Sequence, residues 1–196
     1  MKTQIITRLL DVILNDIAPK TAQEVLKGNK IFGAAILLKS DLSLVIAESN
    51  NEIENPLWHG EMHAIKKLYD RNRDTLPAPE DCLFLSTHEP CSMCLSAITW
   101  AGYDNFYYLF SYEDSRDDFA IPHDLKILKE VFNLKEGEYP KNNSFWNAHN
   151  LGRMAQELPQ DERQPLEEKI AQIRQTYVAL SETYQAHKGE AGIPLA

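Results

Sequence analysis

The sequence predicts an α/β protein in three layers, α/β/α, with a mixed sheet and a helical extension at its C-terminus. After a first pair of short apolar runs, segments of strand character alternate with segments of helical periodicity. Such alternation is typical of parallel strands joined by helical crossovers. Hydrophobic residues make up 43% of the 196 residues and charged residues 25%, so the chain can bury an ordinary core.

The N-terminal part predicts a helix followed by a strand hairpin. Apolar residues recur at helical spacing over residues 3–17, and Pro19 is expected to end that helix. A short second helix is predicted over residues 20–27. The apolar run 32–38 and the segment 42–47 are predicted as two strands joined by a turn.

The middle of the chain alternates between the two kinds of element. Helical periodicity predicts helices over residues 59–69, 91–101 and 123–132. Strands are predicted between them, over residues 82–86 and 106–110.

The C-terminal part divides into an irregular segment and a long helix. Residues 135–160 are the least regular, whereas residues 161–187 carry apolar positions at alternating spacings of four and three. The resulting apolar seam is most simply core packing, and a subunit contact is the alternative. We therefore predict a domain over residues 1–134 and an extension over 135–196, with residues 189–196 frayed.

Composition narrows the classes of function. No apolar run approaches the roughly 20 residues of a membrane span, and the N-terminus lacks a signal-peptide pattern, so a cytoplasmic protein is expected. Lys and Arg number 20 against 29 Asp and Glu, which gives a net charge of −9 and disfavours a nucleic-acid partner. Three cysteines cannot form a disulfide framework, and a metal site is the more probable use of a C-x-x-C pair.

Two short motifs together predict a catalytic zinc site. His59-Gly60-Glu61 is followed further along the chain by Pro90-Cys91-Ser92-Met93-Cys94. One imidazole and two thiolates, from His59, Cys91 and Cys94, would hold Zn²⁺ and leave its fourth position open to water. The two cysteines share a face at the start of a helix, where the helix dipole favours thiolates. Glu61 is placed to move the protons of that water.

Other readings of these residues are weaker. A lone C-x-x-C pair is more often a structural zinc half-site or a redox pair, but a structural site requires four protein ligands. Cys82 is a poor fourth ligand and is expected to be a buried thiol. His59 and His63 are spaced as in a zinc-protease helix, but there the glutamate directly follows the first histidine, where this chain has Gly60.

The combination of H-x-E with P-C-x-x-C is the signature of zinc deaminases. From about Ile31 to Asp118 the chain resembles the cytidine deaminase superfamily, in the branch of guanine, cytosine and tRNA adenosine deaminases. The block STHEPCSMC, residues 86–94, is close to the E-P-C-x-M-C block of that branch, and residues 95–101 and 106–108 are most similar to bacterial guanine deaminases. The resemblance implies a cytidine-deaminase-like fold of about five strands, bound Zn²⁺ and a homodimer.

The resemblance also implies substrate-binding residues. Phe32 begins a run similar to the strand that lines the base pocket, and Asn50 stands where the branch keeps a substrate-binding asparagine. Gly60 replaces the usual alanine and would offer its backbone N–H. Asp114 resembles an acidic residue that recognises a purine amino group, although residues 113–118 alone would be interpreted as a solvated loop.

We therefore expect a zinc-dependent aminohydrolase in which zinc-bound hydroxide attacks a small amino-substituted heterocycle and Glu61 shuttles protons. A guanine-like nucleobase or nucleoside is favoured. A tRNA-specific adenosine deaminase is the first alternative, disfavoured by the net charge and by the lack of an arginine-rich C-terminal helix. The second is a catalytically silent, zinc-stabilised scaffold, which would have no use for Glu61.

Overall fold

A computed structural model describes residues 1–195 and contains one five-stranded mixed sheet with helices on both faces. The sheet has the order β2-β1-β3-β4-β5, in which β1 pairs antiparallel with β2 and β3, and β4 pairs parallel with β3 and β5. Its strands are β1 (Gly33–Leu38), β2 (Leu44–Ser49), β3 (Cys82–His88), β4 (Asn105–Phe110) and β5 (Asn147–Asn150). This architecture confirms the predicted three-layer α/β/α class.

The helices occupy both faces of the sheet and the C-terminal extension. They are α1 (Lys2–Val12), α2 (Ala18–Val25), α3 (Gly60–Tyr69), α4 (Ser92–Trp100), α5 (Tyr112–Asp117), α6 (His123–Phe132), α7 (Leu151–Gln156) and α8 (Gln160–His187). Among the helices of residues 1–195, none combines the length and the hydrophobicity of a membrane span.

The first helix does not end at Pro19, contrary to the prediction. A single π-helical turn, Ile13–Ile17, leads from α1 directly into α2, and the N–H of Ala18 bonds to the carbonyl of Ile13. Pro19 lies in the first turn of α2, where its missing N–H costs no helical hydrogen bond. The π turn therefore leads into a new helix whose first turn accommodates the proline.

Three short elements were not predicted, namely α5, β5 and α7. The acidic segment forms a helix because Ser111 and Asp114 make a capping box: the N–H of Asp114 donates to Ser111 Oγ at 3.2 Å, and the N–H of Ser111 donates to Asp114 Oδ2 at 2.7 Å. The β5 sequence, NAHN, has little intrinsic strand propensity but pairs through its backbone with β4.

The buried core has two parts that alternate along β1. Ala35 and Leu37 belong to one cluster, and Ala34 and Ile36 to the other, as expected where successive side chains point to opposite faces of a sheet. The seam of α8 packs into the first cluster through Leu166, Ile173, Tyr177, Leu180 and Tyr184. Core packing is thus the role of that seam.

The end of the chain was predicted to be frayed, but the structure places it against the protein. Ile193 is only 8% exposed, and the next two residues line a cavity. The last predicted frayed residue, Ala196, lies outside the described part of the chain.

Candidate metal centre

The three predicted metal ligands converge at the N-terminal ends of two helices. His59 is the N-cap of α3 and Cys91 the N-cap of α4. His59 Nδ1 lies 3.5 Å from Cys91 Sγ and 3.9 Å from Cys94 Sγ, and all three ligand atoms lie within 4.8 Å of one another. Tetrahedral zinc, with Zn–S distances of about 2.3 Å and Zn–N distances of about 2.0 Å, separates its ligand atoms by ~3.5 Å. The donor set and its spacing therefore fit zinc.

The pKa values of the three ligand side chains are shifted in different directions. Hydrogen bonds with Cys94 and His59 hold the pKa of the Cys91 thiol well below its usual value, whereas burial, followed by the hydrogen bond with Cys91, raises that of Cys94. Burial lowers the pKa of His59, but the hydrogen bond with Cys91 and the surrounding negative charges outweigh it and raise the pKa to about 9. A metal that takes all three ligands must displace protons from His59 and Cys94.

Glu61 lies beside the ligands in the first turn of α3 and is 4% exposed. Burial, followed by the charge of Cys91, raises the pKa of its carboxyl group. Ser86 Oγ donates to Glu61 Oε1 at 2.7 Å, which fixes the carboxyl and opposes that rise. A carboxyl group whose pKa is moved towards neutrality can both accept and return a proton.

A buried polar network lies on the side of the His59 ring that faces away from the two cysteines. His59 Nε2 lies 3.9 Å from Glu52 Oε1, which accepts a hydrogen bond from Lys30 Nζ at 2.7 Å. The Lys30 and Glu52 side chains are only 6% and 1% exposed. A carboxylate next to the distal nitrogen of a ligand histidine orients the ring, here with Nδ1 towards the cysteines. This pair was not predicted from the sequence because neither residue belongs to a motif.

Asn50 and Gly60, which are both predicted to bind substrate, are hydrogen-bonded to each other. The N–H of Gly60 donates to Asn50 Oδ1 at 2.6 Å, and Asn50 Nδ2 donates to Glu52 at 3.1 Å. Asn50 is fully buried. Its amide therefore ties the start of α3 to the network behind His59 and does not reach a cavity in the described residues.

A cavity of about 350 Å³ opens against the metal ligands. Its walls are mainly apolar and include Phe32, Leu57, Met93, Ile121, Ile127 and Leu195. A small recess of about 10 Å³ shares Phe32, His59, Cys91 and Asp124 with the cavity and adds Glu61, His88 and Glu89. Apolar walls with few polar groups are typical of sites for planar organic ligands.

Of the predicted substrate-binding residues, Phe32 lines the cavity and Asp114 does not. Asp114 caps α5 through Ser111 and accepts a hydrogen bond from Arg174 of α8 at 3.0 Å, so its carboxylate is held away from the ligands. Asp124, in the first turn of α6, faces both the cavity and the recess instead. Burial, followed by the charge of Cys91, raises its pKa to about 7.

Asp124 was not predicted from the sequence because it follows Asp118, the last residue with a recognisable resemblance. The only signal that could have found it is its position in the first turn of a predicted helix next to His123. His63 and Cys82 are packed residues, as expected: His63 Nδ1 bonds to the carbonyl of Ser49 at 2.9 Å, and Cys82 is fully buried outside the ligand group.

Comparison with known proteins agrees with this site. A family model described as the cytidine and deoxycytidylate deaminase zinc-binding region matches residues 11–110, which include Glu61 and all three ligands. A guanine deaminase of Bacillus subtilis (strain 168) is 33% identical over 105 residues, which cover 51% of this chain and 62% of the relative. The chain thus spans less than two thirds of that relative's length.

Two solved structures are also similar. The X-ray structure of guanine deaminase from Bacillus subtilis is 25% identical, with a TM-score of 0.51, over 68% of this chain and 80% of that one. A mutant protein solved in complex with 8-azaguanine has a TM-score of 0.51 and 17% identity over 95% of this chain and 85% of its own. At that identity the second likeness concerns the fold alone.

Proposed function

The chain belongs to the family of cytidine and deoxycytidylate deaminase zinc-binding proteins, and from that premise we propose that it is a hydrolytic deaminase of a guanine-like nucleobase or nucleoside. The observation that carries the proposal is the convergence of His59, Cys91 and Cys94 within 4.8 Å, beside the buried carboxyl group of Glu61. A cytoplasmic homodimer is part of the proposal, on the resemblance to its family.

The proposed chemistry divides between the metal and the chain. Zinc, held by the three ligands, would supply a water molecule of lowered pKa as the nucleophile. The carboxyl group of Glu61 would accept a proton of the attacking water and return it to the departing amine, which leaves as ammonia. Ser86 keeps the Glu61 carboxyl oriented for both transfers. Glu52, through His59, and Asn50, through the backbone of Gly60, position the start of α3.

Substrate recognition is assigned to the cavity walls. Phe32 offers an aromatic face to a planar ring, and Asp124 offers a carboxylate to an exocyclic amine or a ring N–H. A buried carboxylate left without its hydrogen-bond donor is disfavoured, so such a site discriminates strongly between related bases. Asp124 therefore takes the role that the resemblance had suggested for Asp114.

The test is ammonia release by the zinc-loaded protein across a panel of guanine, adenine, cytosine, their nucleosides and aminopteridines. We expect turnover of guanine or a close analogue. Asp124→Asn should raise KM by about tenfold or more while zinc stays bound, and Asp114→Asn, the matched control, should leave KM unchanged. If no member of the panel releases ammonia, the deaminase proposal is wrong and the zinc-stabilised scaffold takes its place.

A further inference from the structure

His88, at the end of β3, is a buried histidine with an unsatisfied ring nitrogen. It is 3% exposed, and its ring packs against four aromatic side chains at centroid distances of 4.6 to 5.5 Å, those of Phe32, Phe110, Phe119 and Tyr177. Nδ1 lies 2.9 Å from Thr87 Oγ1, whereas Nε2 has no hydrogen-bond partner in residues 1–195. Buried polar atoms are nearly always paired, so a water molecule or a bound ligand is the expected partner of this nitrogen.

The neighbouring hydroxyl determines which ring nitrogen carries the proton. Thr87 Oγ1 accepts from the N–H of Gly33 at 3.0 Å and donates to the carbonyl of Gly33 at 3.1 Å. A hydroxyl has one proton, so while it donates to Gly33 it can only accept from His88. In that arrangement Nδ1 holds the hydrogen and Nε2 presents a bare lone pair. Burial, and then the charge of Arg174, lowers the pKa of His88 well below its usual value, which keeps the ring neutral.

The side chain of His88 lines the same recess as the residues of the proposed chemistry. The recess that His88 lines is also lined by Glu61, His59 and Asp124. Its volume of about 10 Å³ is that of one small group, such as a ring N–H. Asp124 and His88 offer hydrogen-bond acceptors there beside the carboxyl groups of Glu61 and Glu89, and the complement of this set is a heterocycle with more than one N–H.

We propose that His88 Nε2 accepts a hydrogen bond from a ring N–H of the substrate and thereby determines specificity. The inference rests on the proposed function and narrows its substrate class. Asp124 binds one N–H group of the heterocycle, and His88 requires a second one on the ring itself. Heterocycles that lack this second donor leave the histidine nitrogen unsatisfied and are rejected.

The experiment pairs the substitution His88→Phe, which keeps an aromatic ring, with ligands in which each ring N–H is methylated in turn. Zinc-loaded Glu61→Gln protein serves as the parent, so that ligands bind without turnover. Calorimetry measures the affinities of guanine, 1-methylguanine, 7-methylguanine and 9-methylguanine. His88→Phe should weaken guanine binding by about ten- to a hundredfold, and the difference between parent and variant should vanish for one methylated base.

Two further variants separate recognition from packing. Phe119→Leu disturbs the same aromatic cluster but keeps the His88 side chain and its Nε2 atom. It should change the affinities for all four ligands by one common factor or not at all. His88→Gln restores a side-chain acceptor and should recover part of the guanine affinity. If His88→Phe loses zinc or fails to fold, the comparison is made between the parent and His88→Gln. A loss shared equally by all four ligands in His88→Phe, or no loss, overturns the inference.

Failure of the underlying proposal gives a different result. If the parent with His88 intact binds none of the four purines, the guanine-like substrate is wrong, and the His88 inference is overturned with it before any variant is compared. If the parent binds guanine and only the pattern across methylated bases is absent, the proposed function stands and the role of His88 alone is rejected.

Discussion

A β-carbon on Gly60 would stand 2.5 Å from the Cα atom of Gly33. The start of α3 therefore lies directly against the backbone of β1, at a distance that only glycine allows. α3 carries His59 as its N-cap and Glu61 in its first turn. The contact between Gly60 and Gly33 therefore fixes the positions of a metal ligand and of the proposed proton shuttle relative to β1. It also explains why this chain has Gly60 where the family it resembles usually has alanine.

The first prediction concerns this contact. Gly60→Ala should push α3 away from β1, because the new methyl group meets rigid backbone atoms and no flexible side chain. Overpacking of this kind costs about 1–3 kcal/mol, and we expect a lower free energy of unfolding, weaker zinc binding and reduced kcat. Chemical denaturation and chelator competition measure the first two effects.

The matched control for this prediction is Gly152→Ala in α7. The nearest atom to its new β-carbon is Asn150 Oδ1 at 3.3 Å, and the helical propensity of alanine works in its favour. It should leave zinc affinity unchanged. Equal losses in the two variants would mean that the Gly33–Gly60 contact does not position the site.

The second prediction separates metal binding from proton transfer. Glu61→Gln should keep a full equivalent of zinc, since Glu61 is not among the converging ligands, while turnover falls by about 10²- to 10⁴-fold. Cys91→Ala and Cys94→Ala should lose zinc and turnover together. Metal analysis by atomic absorption, alongside ammonia release, distinguishes the two patterns. Loss of zinc from Glu61→Gln would identify the glutamate as a ligand.

The sequence predicted the metal ligands and the main strands because their signals are local. The H-x-E and P-C-x-x-C motifs mark ligands at the starts of two helices. β1 is a continuous apolar run, and β3 begins with one. The polar network behind His59 is not local. Lys30 and Glu52 meet only because two loops pack together, and nothing in their sequence neighbourhood marks a buried ion pair.

The prediction for Pro19 was wrong and Asp114 does not line the cavity, each for a physical reason. The rule that proline ends a helix fails where a π turn lets the proline occupy a first helical turn. Asp114 was chosen for its position in a block of resemblance, but a capping box with Ser111 uses its carboxylate locally. The residue that faces the cavity, Asp124, comes from α6, whose placement depends on tertiary packing.

The third prediction is that zinc affinity rises with pH. The pKa of His59 is about 9 and that of Cys94 is raised, so near neutrality both hold protons that compete with the metal. Affinity should climb by about tenfold per pH unit for each proton displaced, and the slope should decrease above pH 9, where His59 has lost its proton and Cys94 still releases one. Calorimetry in buffers of different ionisation enthalpy counts the protons. Cys82→Ala, outside the ligand group, is the control and should show the same slope as the unmodified protein.

The fourth prediction concerns the buried ion pair. Lys30→Met leaves the carboxylate of Glu52 without its main partner, at 1% exposure, and should lower the free energy of unfolding by about 3–5 kcal/mol. Lys30→Met with Glu52→Gln removes both charges and should recover much of that loss. Urea denaturation of the zinc-loaded proteins provides the values. Lys66→Met, which breaks the exposed pair with Asp70, is the control and should have no measurable effect. Additive losses in the double variant would contradict the coupling of Lys30 and Glu52.

The fifth prediction is that the protein shows no salt-sensitive tRNA binding. A tRNA-specific adenosine deaminase, the alternative function, would require such binding. A protein that reads a base within RNA must contact phosphates through Lys and Arg, and its affinity then falls steeply with salt. The Lys and Arg side chains of α8 are already paired with acidic groups, as Arg163–Glu167, Lys169–Asp11 and Arg174–Asp114.

Exposed acidic residues on the same helix would repel a phosphate backbone, among them Glu162, Glu168 and Glu182. Together with the net charge of −9, this leaves α8 without a basic surface for an anticodon stem. Filter binding of tRNA at low and at physiological salt should give weak affinity at both, while ammonia release from free purines is unaffected by added tRNA. Submicromolar binding at physiological salt, with inosine formed at one position of the tRNA, would instead establish the RNA-editing alternative.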